Sequence, residues 1–244
     1  MNETLLASIR LRYRQTLDRI ASAAAGSGRK PEQVRLVVVS KSQPLEVIQA
    51  ACAAGISIFG ENYAEEAVQK IAALQETNVE WHMIGHVQSR KADLIAAHFT
   101  MLHSLDSAKL AGRLDRLCGE MNRTLPVLLE FNVSGEESKF GFPAWEEKNW
   151  SGLQPGIEQI LALPHLQVNG LMTMPPFFDD PEQTRPYFQR LRRLQGFLAA
   201  HYPQAHWQEL SMGTSLDFVA AVQEGATYVR VGQAILGPRT YNIK

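Results

Sequence analysis

The sequence predicts an α/β protein, a single (β/α)8 TIM barrel preceded by an extra N-terminal helix, and three observations carry that prediction. Eight short β-rich apolar runs alternate with stretches of helical periodicity. Several runs, Leu36-Val37-Val38-Val39 among them, are continuously apolar, as strands covered on both faces require, and this points to a parallel sheet. Eight strands, seven intervening helices and a leading helix in 244 residues match the usual size of a closed barrel. An open doubly wound sheet is the alternative, disfavoured because eight strands suit closure and no GxGxxG follows the first run.

In chain order, an amphipathic stretch from Leu5 to Ile20 comes first. It carries Arg10, Arg12, Arg14 and Arg19, but Glu3 and Asp18 argue against a transit peptide, so a solvated helix is expected. The strand candidates are Leu36–Lys41, Ile56–Gly60, Glu80–Ile84, Met101–Leu105, Leu125–Asn132, Val168–Thr173, Trp207–Met212 and Thr227–Gly232. Between them, helices are expected at Leu45–Ala54, Ala64–Leu74, Ser89–Ala97, Ser107–Met121, Trp150–Ala162, Arg185–Ala200 and Ser215–Glu224. The stretch Phe142 to Gly156 reads as an insertion or a long connection, and Pro175-Pro176 through Pro181 as a loop. No Gly/Pro/Ser-rich linker divides the chain, so residues 1–244 are expected to form one domain.

Composition narrows the function. Hydrophobic residues at 45% and charged residues at 20% suit a folded globular chain. Twenty-four Lys and Arg against 25 Asp and Glu leave a net charge of -1, which gives no general drive toward nucleic acid or anionic lipid. No apolar run reaches the roughly 18 residues of a membrane span, and no secretory leader is visible, so a cytoplasmic location is expected. Cys52 and Cys118 lack partners at metal-ligand spacing and read as buried free thiols. No metal site is expected.

In a barrel, the chemistry gathers where strands end and their following loops begin. Lys41 closes the first strand at the edge of a low-dielectric interior, which lowers the pKa of an amine and suits it to Schiff-base formation; the alternative is a lysine that snorkels to water. Ser211-Met212-Gly213-Thr214-Ser215 and Arg230-Val231-Gly232-Gln233 offer hydroxyls and glycines just before expected helical turns. Together they suggest a phosphate cradle, against the alternative of plain turns and N-caps. His82 and His86 read as satisfied histidines. Glu61 and Asp217 could serve as acid or base, but no carboxylate pair is present, and the helix dipole accounts for Asp217.

These residues fall in seven ordered blocks that resemble the pyridoxal phosphate homeostasis proteins, a family related to the N-terminal barrel of alanine racemase, over nearly the whole chain. The blocks are Val38-Val39-Ser40-Lys41, Phe59 to Tyr63, Trp81 to Ser89, Gly135 to Lys139, Gly170 to Met174, Ser211-Met212-Gly213, and Val229 to Gly237. The resemblance implies pyridoxal 5'-phosphate (PLP) as cofactor, held by Lys41 as an internal aldimine, with Arg230 facing the pyridine nitrogen and Asn62 nearby. It also implies phosphate ligands at Ser211, Gly213, Thr214, Gly232 and Gln233, and an auxiliary lysine at Lys139.

An arginine at the ring nitrogen weakens the cofactor as an electron sink. The chain ends at Lys244, soon after the eighth strand, so the second domain that gives racemases their catalytic tyrosine is not expected. The implied role is therefore a PLP carrier or regulator in vitamin B6 and amino-acid homeostasis, without catalytic residues. PLP-dependent apo-enzymes are its expected recipients; it is expected to be a monomer and to bind neither nucleic acid nor membrane. A racemase-type PLP enzyme of weak activity and a cofactor-free Schiff-base barrel are the alternatives. Departures from the common pattern are Thr214 in place of methionine, Arg90 in place of asparagine, and a long 142–156 segment.

Overall fold

The computed structural model describes residues 2–74 and 78–238. Nine strands are found among them: β1 (Arg35–Val39), β2 (Ile58–Glu61), β3 (Glu80–Met83), β4 (Met101–Leu105), β5 (Leu125–Asn132), β6 (Phe142–Pro143), β7 (Leu166–Met172), β8 (Glu209–Ser211) and β9 (Tyr228–Val231). All pair in parallel, in the order β4-β3-β2-β1-β9-β8-β7-β5, and β4 also pairs with β5, so eight strands close into the expected barrel. The two-residue β6 lies outside the ring against the end of β5.

Alternate residues of each strand face inward or outward. Outward-facing Val38, Phe59, Leu129, Leu171 and Val229 pack beneath the helices in one continuous buried layer with Ile48, Ile95, Leu114, Ile157, Leu191 and Phe218. Inward-facing Val37, Met101, Leu128, Met172 and Tyr228 form a second, smaller cluster that fills the barrel. Each such side chain contributes about 1.5–3 kcal/mol on burial. Gly170 is required where β7 meets β8. Its φ is +156°, and a Cβ there would lie 1.9 Å from the Glu209 carbonyl oxygen.

The helices are α1 (Glu3–Gly26), α2 (Leu45–Ala53), α3 (Ala64–Ala73), α4 (Ala92–His98), α5 (Ala108–Glu120), α6 (Gln154–Leu161), α7 (Arg185–His201), α8 (Phe218–Gln223) and α9 (Gln233–Leu236). Three depart from expectation for local reasons. The stretch expected as a helix from Trp150 is a 3-10 turn up to Leu153, and α6 starts only with Pro155 in its first turn, where the missing N–H costs nothing. The turn Ser89–Lys91 likewise precedes α4. The helix expected from Ser215 starts at Phe218, because the Thr214 carbonyl takes the Asp217 and Phe218 N–H groups and the Asp217 carboxylate takes the Thr214 N–H at 2.6 Å.

The leading helix is longer than expected and only partly solvated. Ile9, Thr16, Ile20, Ala23 and Ala24 are buried. Two of its arginines, and Arg29 just beyond it, reach the ends of other helices: Arg10 donates to Ala53 O, Arg12 to Ile235 O, and Arg29 to Val222 O and to Ala226 O just past α8. These are the orphan carbonyls at which cations are favourable. Arg123 acts similarly on α4, donating to Ala96 O (2.6 Å) and Phe99 O (2.7 Å). Arg123→Met is expected to lower stability by about 1–3 kcal/mol in urea titration; no loss would show that water satisfies those carbonyls equally well. Both cysteines are free; Cys118 is buried as expected, whereas Cys52 is half-buried.

Candidate functional site

A cavity of about 600 Å³ opens at the C-terminal ends of the strands. Lys41, Asn62, Thr214, Arg230, Gly232 and Gln233 line it, as do Lys139, Glu130, Ser215 and His86. Six of the eight sequence-predicted binding positions therefore meet in one place, contributed by the loops after β1, β2 and β8 and by β9 with its loop. Ser211 and Gly213 are not among the lining residues.

Lys41 follows β1, and its neighbours are fixed by a buried ion cluster. Lys70 of α3 places its ammonium 2.7 Å from Ser40 O, 2.7 Å from Glu61 Oε1 and 2.6 Å from Glu66 Oε1. Ser40 Oγ donates to the same Glu61 oxygen, and Glu66 accepts the Ser42 N–H at 2.7 Å. Ser42 has φ +57°, a left-handed conformation that costs a non-glycine residue about 1 kcal/mol or more and that this cluster holds. Glu61 is fully buried, facing out of the barrel toward α3; it stands apart from the pocket and belongs to the support of Lys41.

Arg230 rises from β9 and is buried. Its guanidinium donates to Ser211 Oγ (2.5 Å), Thr173 O (3.0 Å) and Met174 Sδ (2.8 Å). Burial brings its pKa down to about 10, with the charges of Asp217 and Glu130 opposing the fall, so it stays a cation at neutral pH. Ser211 is taken up behind this guanidinium, its hydroxyl also bonded to His103 Nδ1 at 2.8 Å.

The loops after the neighbouring strands β8 and β9 both line the pocket. Thr214 gives both its N–H (2.6 Å) and its hydroxyl (3.0 Å) to Asp217 Oδ1, which shapes the turn that presents Ser215. Gly232 lets the last loop approach β1: a Cβ there would stand 3.2 Å from both Val39 Cβ and Val39 O. The helices that follow these loops have only six and four residues, so they bring little helix dipole to the pocket.

Two wall residues were missed from the sequence. Glu130 is 7% exposed, and its Oε2 has no hydrogen-bond partner among the described residues. Burial, reinforced by the nearby Asp106 charge, raises its pKa to about 7 against the pull of Arg230 and Lys139. The clue was its parity on β5, which it shares with inward-facing Leu128. Ser215 was noted in its motif but not singled out. At the mouth, His86 stacks on Phe140 with ring centroids 3.8 Å apart and bonds Asp106 at 2.9 Å. Lys139 reaches Pro175 O at 3.3 Å. No group of three or more metal-ligating side chains occurs among the described residues.

A closed parallel barrel with an amine, a guanidinium and a polar double loop at its C-terminal face defines the class. The family model for alanine racemase, N-terminal domain, matches residues 14–240. Curated relatives named pyridoxal phosphate homeostasis protein include one from Aquifex aeolicus, 39% identical over 94% of this chain and 98% of its own length. Another, from Escherichia coli K12, is 38% identical over 94% of this chain and 96% of its own length. The chain belongs to this family. PipY of Synechococcus elongatus PCC7942, solved with PLP bound, is 36% identical, covers 89% of this chain and 100% of its own, and superposes with TM-score 0.77. Alanine racemase from Corynebacterium glutamicum, 18% identical with TM-score 0.68 over 98% of this chain and 63% of its own, shares the fold.

Proposed function

We propose that this chain, as one unit over residues 1–244, binds PLP in the barrel-mouth cavity and serves PLP homeostasis as a carrier. One observation carries the reading: Lys41 and Arg230, on adjacent strands β1 and β9, line one cavity with the Thr214–Ser215 and Gly232–Gln233 loops, in a chain 36% identical to a relative solved with PLP. The residues fit the group. The cavity is large enough, a primary amine stands at one side, a fixed cation lies on its floor, and the missing side chain of Gly232 brings backbone N–H groups close to β1.

In this reading Lys41 is the covalent attachment point, Asn62 flanks it, and Arg230 meets the ring nitrogen. Gly232, Gln233 and Ser215 hold the phosphate. Thr214 and Gly213 set the turn, and Ser211 supports Arg230 from behind. PLP, when bound, supplies an aldehyde that condenses with amines and a ring that withdraws electrons. The Arg230 cation disfavours a proton on the ring nitrogen, so this pocket holds the group more readily than it exploits it for carbanion chemistry.

The deciding measurement is the absorption spectrum of the PLP-treated protein before and after borohydride, with peptide mapping. A visible band and a reduced adduct on Lys41 are expected, both lost in Lys41→Ala; an adduct on another lysine, or no band in the parent, refutes the assignment. The recipients in this reading are PLP-dependent apo-enzymes, and the loaded monomer is expected to activate one faster than an equal concentration of free PLP. Equal rates would remove transfer from the reading. Glu130 favours a second reading, a weak racemase-type enzyme with this carboxyl as acid and base. It requires turnover of single-enantiomer amino acids that disappears in Glu130→Gln.

A further inference from the structure

The interior of the barrel holds a file of polar side chains running from the pocket to the opposite mouth. Arg230 Nη1 donates to Ser211 Oγ at 2.5 Å, and Ser211 Oγ lies 2.8 Å from His103 Nδ1. His103 Nε2 is 3.0 Å from His82 Nδ1, and His82 Nε2 is 3.3 Å from Glu80 Oε2. Ser211, His103 and His82 are buried, whereas the Glu80 side chain, at the first residue of β3, is 59% exposed.

The chemistry of the groups fixes the direction of every bond. A carboxylate only accepts, so His82 donates from Nε2 to Glu80. A neutral His82 then accepts on Nδ1 from His103 Nε2, and a neutral His103 accepts on Nδ1 from the Ser211 hydroxyl. The Ser211 oxygen in turn accepts from the Arg230 guanidinium, which only donates. With both rings neutral, the three groups thus have one proton arrangement, set from the anion end and compatible with the cation at the other.

Burial favours the neutral form of both imidazoles, with Glu80 opposing it at His82. Burial lowers the pKa of each, and His103 feels His82, Arg230 and Arg35 as well. Arg35 of β1, paired with Glu209 of β8, lies 3.9 Å from the ring centroid of Tyr228 on β9. That ring packs edge-on against His82 and His103. Glu130 of β5 acts on Arg230 from the pocket side.

We propose that Ser211, His103, His82 and Glu80 form a positioning relay that holds the Arg230 guanidinium in register with the pocket and transmits the charge of Glu80, on the opposite face of the barrel, to it. The proposal rests on the reading that Arg230 meets the ring nitrogen of PLP. His103 and His82 touch no ligand in this arrangement and act only through Ser211.

Nitrogen-15 NMR of the histidine ring nitrogens in the full chain, assigned with His82→Gln and His103→Gln, tests the relay without PLP. Both rings are expected as neutral Nε2–H tautomers throughout pH 7–8.5; an Nδ1–H tautomer, or a His103 that titrates at the ordinary midpoint, overturns the proposal. Binding supplies the second arm. Glu80→Gln replaces the anion with a group that can donate or accept, so PLP is expected to bind about three- to tenfold more weakly and the pH dependence of its bound spectrum to shift. Glu209→Gln, at the same mouth but outside the file, is expected to stay within about twofold of the parent. An unchanged affinity and spectrum in Glu80→Gln overturns the coupling. A parent that takes up no PLP refutes the cofactor reading instead, and the tautomers still decide whether the file is ordered as described.

Discussion

Replacing Lys70 with methionine is expected to cost about 3–5 kcal/mol of folding stability, the range for removing one partner of a buried ion pair, and to weaken PLP binding as well. The Lys70 ammonium makes three hydrogen bonds in a nearly water-free pocket between α3 and the ends of β1 and β2. Methionine fills similar volume but leaves Glu61 buried without its cation. Burial already pushes the Glu61 carboxyl up from its ordinary pKa, with Lys70 pulling it back. Remove that pull, and the site must take up a proton or unfold. The Ser40 carbonyl loses its tie to the ammonium at the same time, and Glu66, which holds the Ser42 N–H, loses its cation, so the approach of Lys41 to the pocket loosens.

A double-mutant cycle in urea separates charge from packing. Adding Glu61→Gln to Lys70→Met is expected to recover stability, because no uncompensated charge remains. If the double variant is as unstable as the sum of the single variants, the loss belongs to packing alone.

The second large effect runs in the opposite direction. Glu130→Gln is expected to stabilise the PLP-free protein at pH 8 by on the order of 1–3 kcal/mol, since each pKa unit corresponds to about 1.4 kcal/mol. Glu130 has a folded pKa of about 7 against an ordinary 4.5. Between those values the folded state binds the proton more tightly. Its favourable contribution is therefore complete below pH 4.5 and is lost as pH rises through 7. Glutamine has no charge to desolvate, so the advantage of the variant grows over that window and fades toward pH 5. His82 and His103, whose depressed pKa values lower stability as pH falls below 6.5, are present in both proteins and cancel. Melting temperatures from pH 5 to 8 check the prediction; an offset that does not vary with pH would assign the gain to packing.

Much of the pocket was legible because a parallel barrel brings the C-terminal end of every strand to one face. Once Leu36-Val37-Val38-Val39 is read as a covered strand, Lys41 belongs at that face, and Asn62, Arg230, Gly232 and Gln233 follow by the same rule. Directions within a strand were harder to read. Gly60 faces the barrel interior and Glu61 does not, which turned a candidate acid into a support for the Lys41 segment. Ser211 sits at a strand end like the others but points to His103, a residue 108 positions away that only the barrel cross-section brings near. The short α8 depended on an Asp217–Thr214 bond that competes with helix formation. Arg10 and Arg12 of α1 looked like part of a solvated charge run because the carbonyls they cap belong to distant helices.

The barrel closes between β1 and β9, where Leu36 lies beside Val229, and α1 caps helix ends on both sides of that seam. During synthesis the lysine therefore leaves the ribosome long before Gly232 and Gln233, and the N-terminal part of the chain waits with an unpaired strand edge. The two walls of the pocket first meet when translation is nearly complete. On the reading proposed above, a truncated or stalled nascent chain has the Lys41 amine without the loop after β9, and cannot sequester a reactive aldehyde in place of the finished protein.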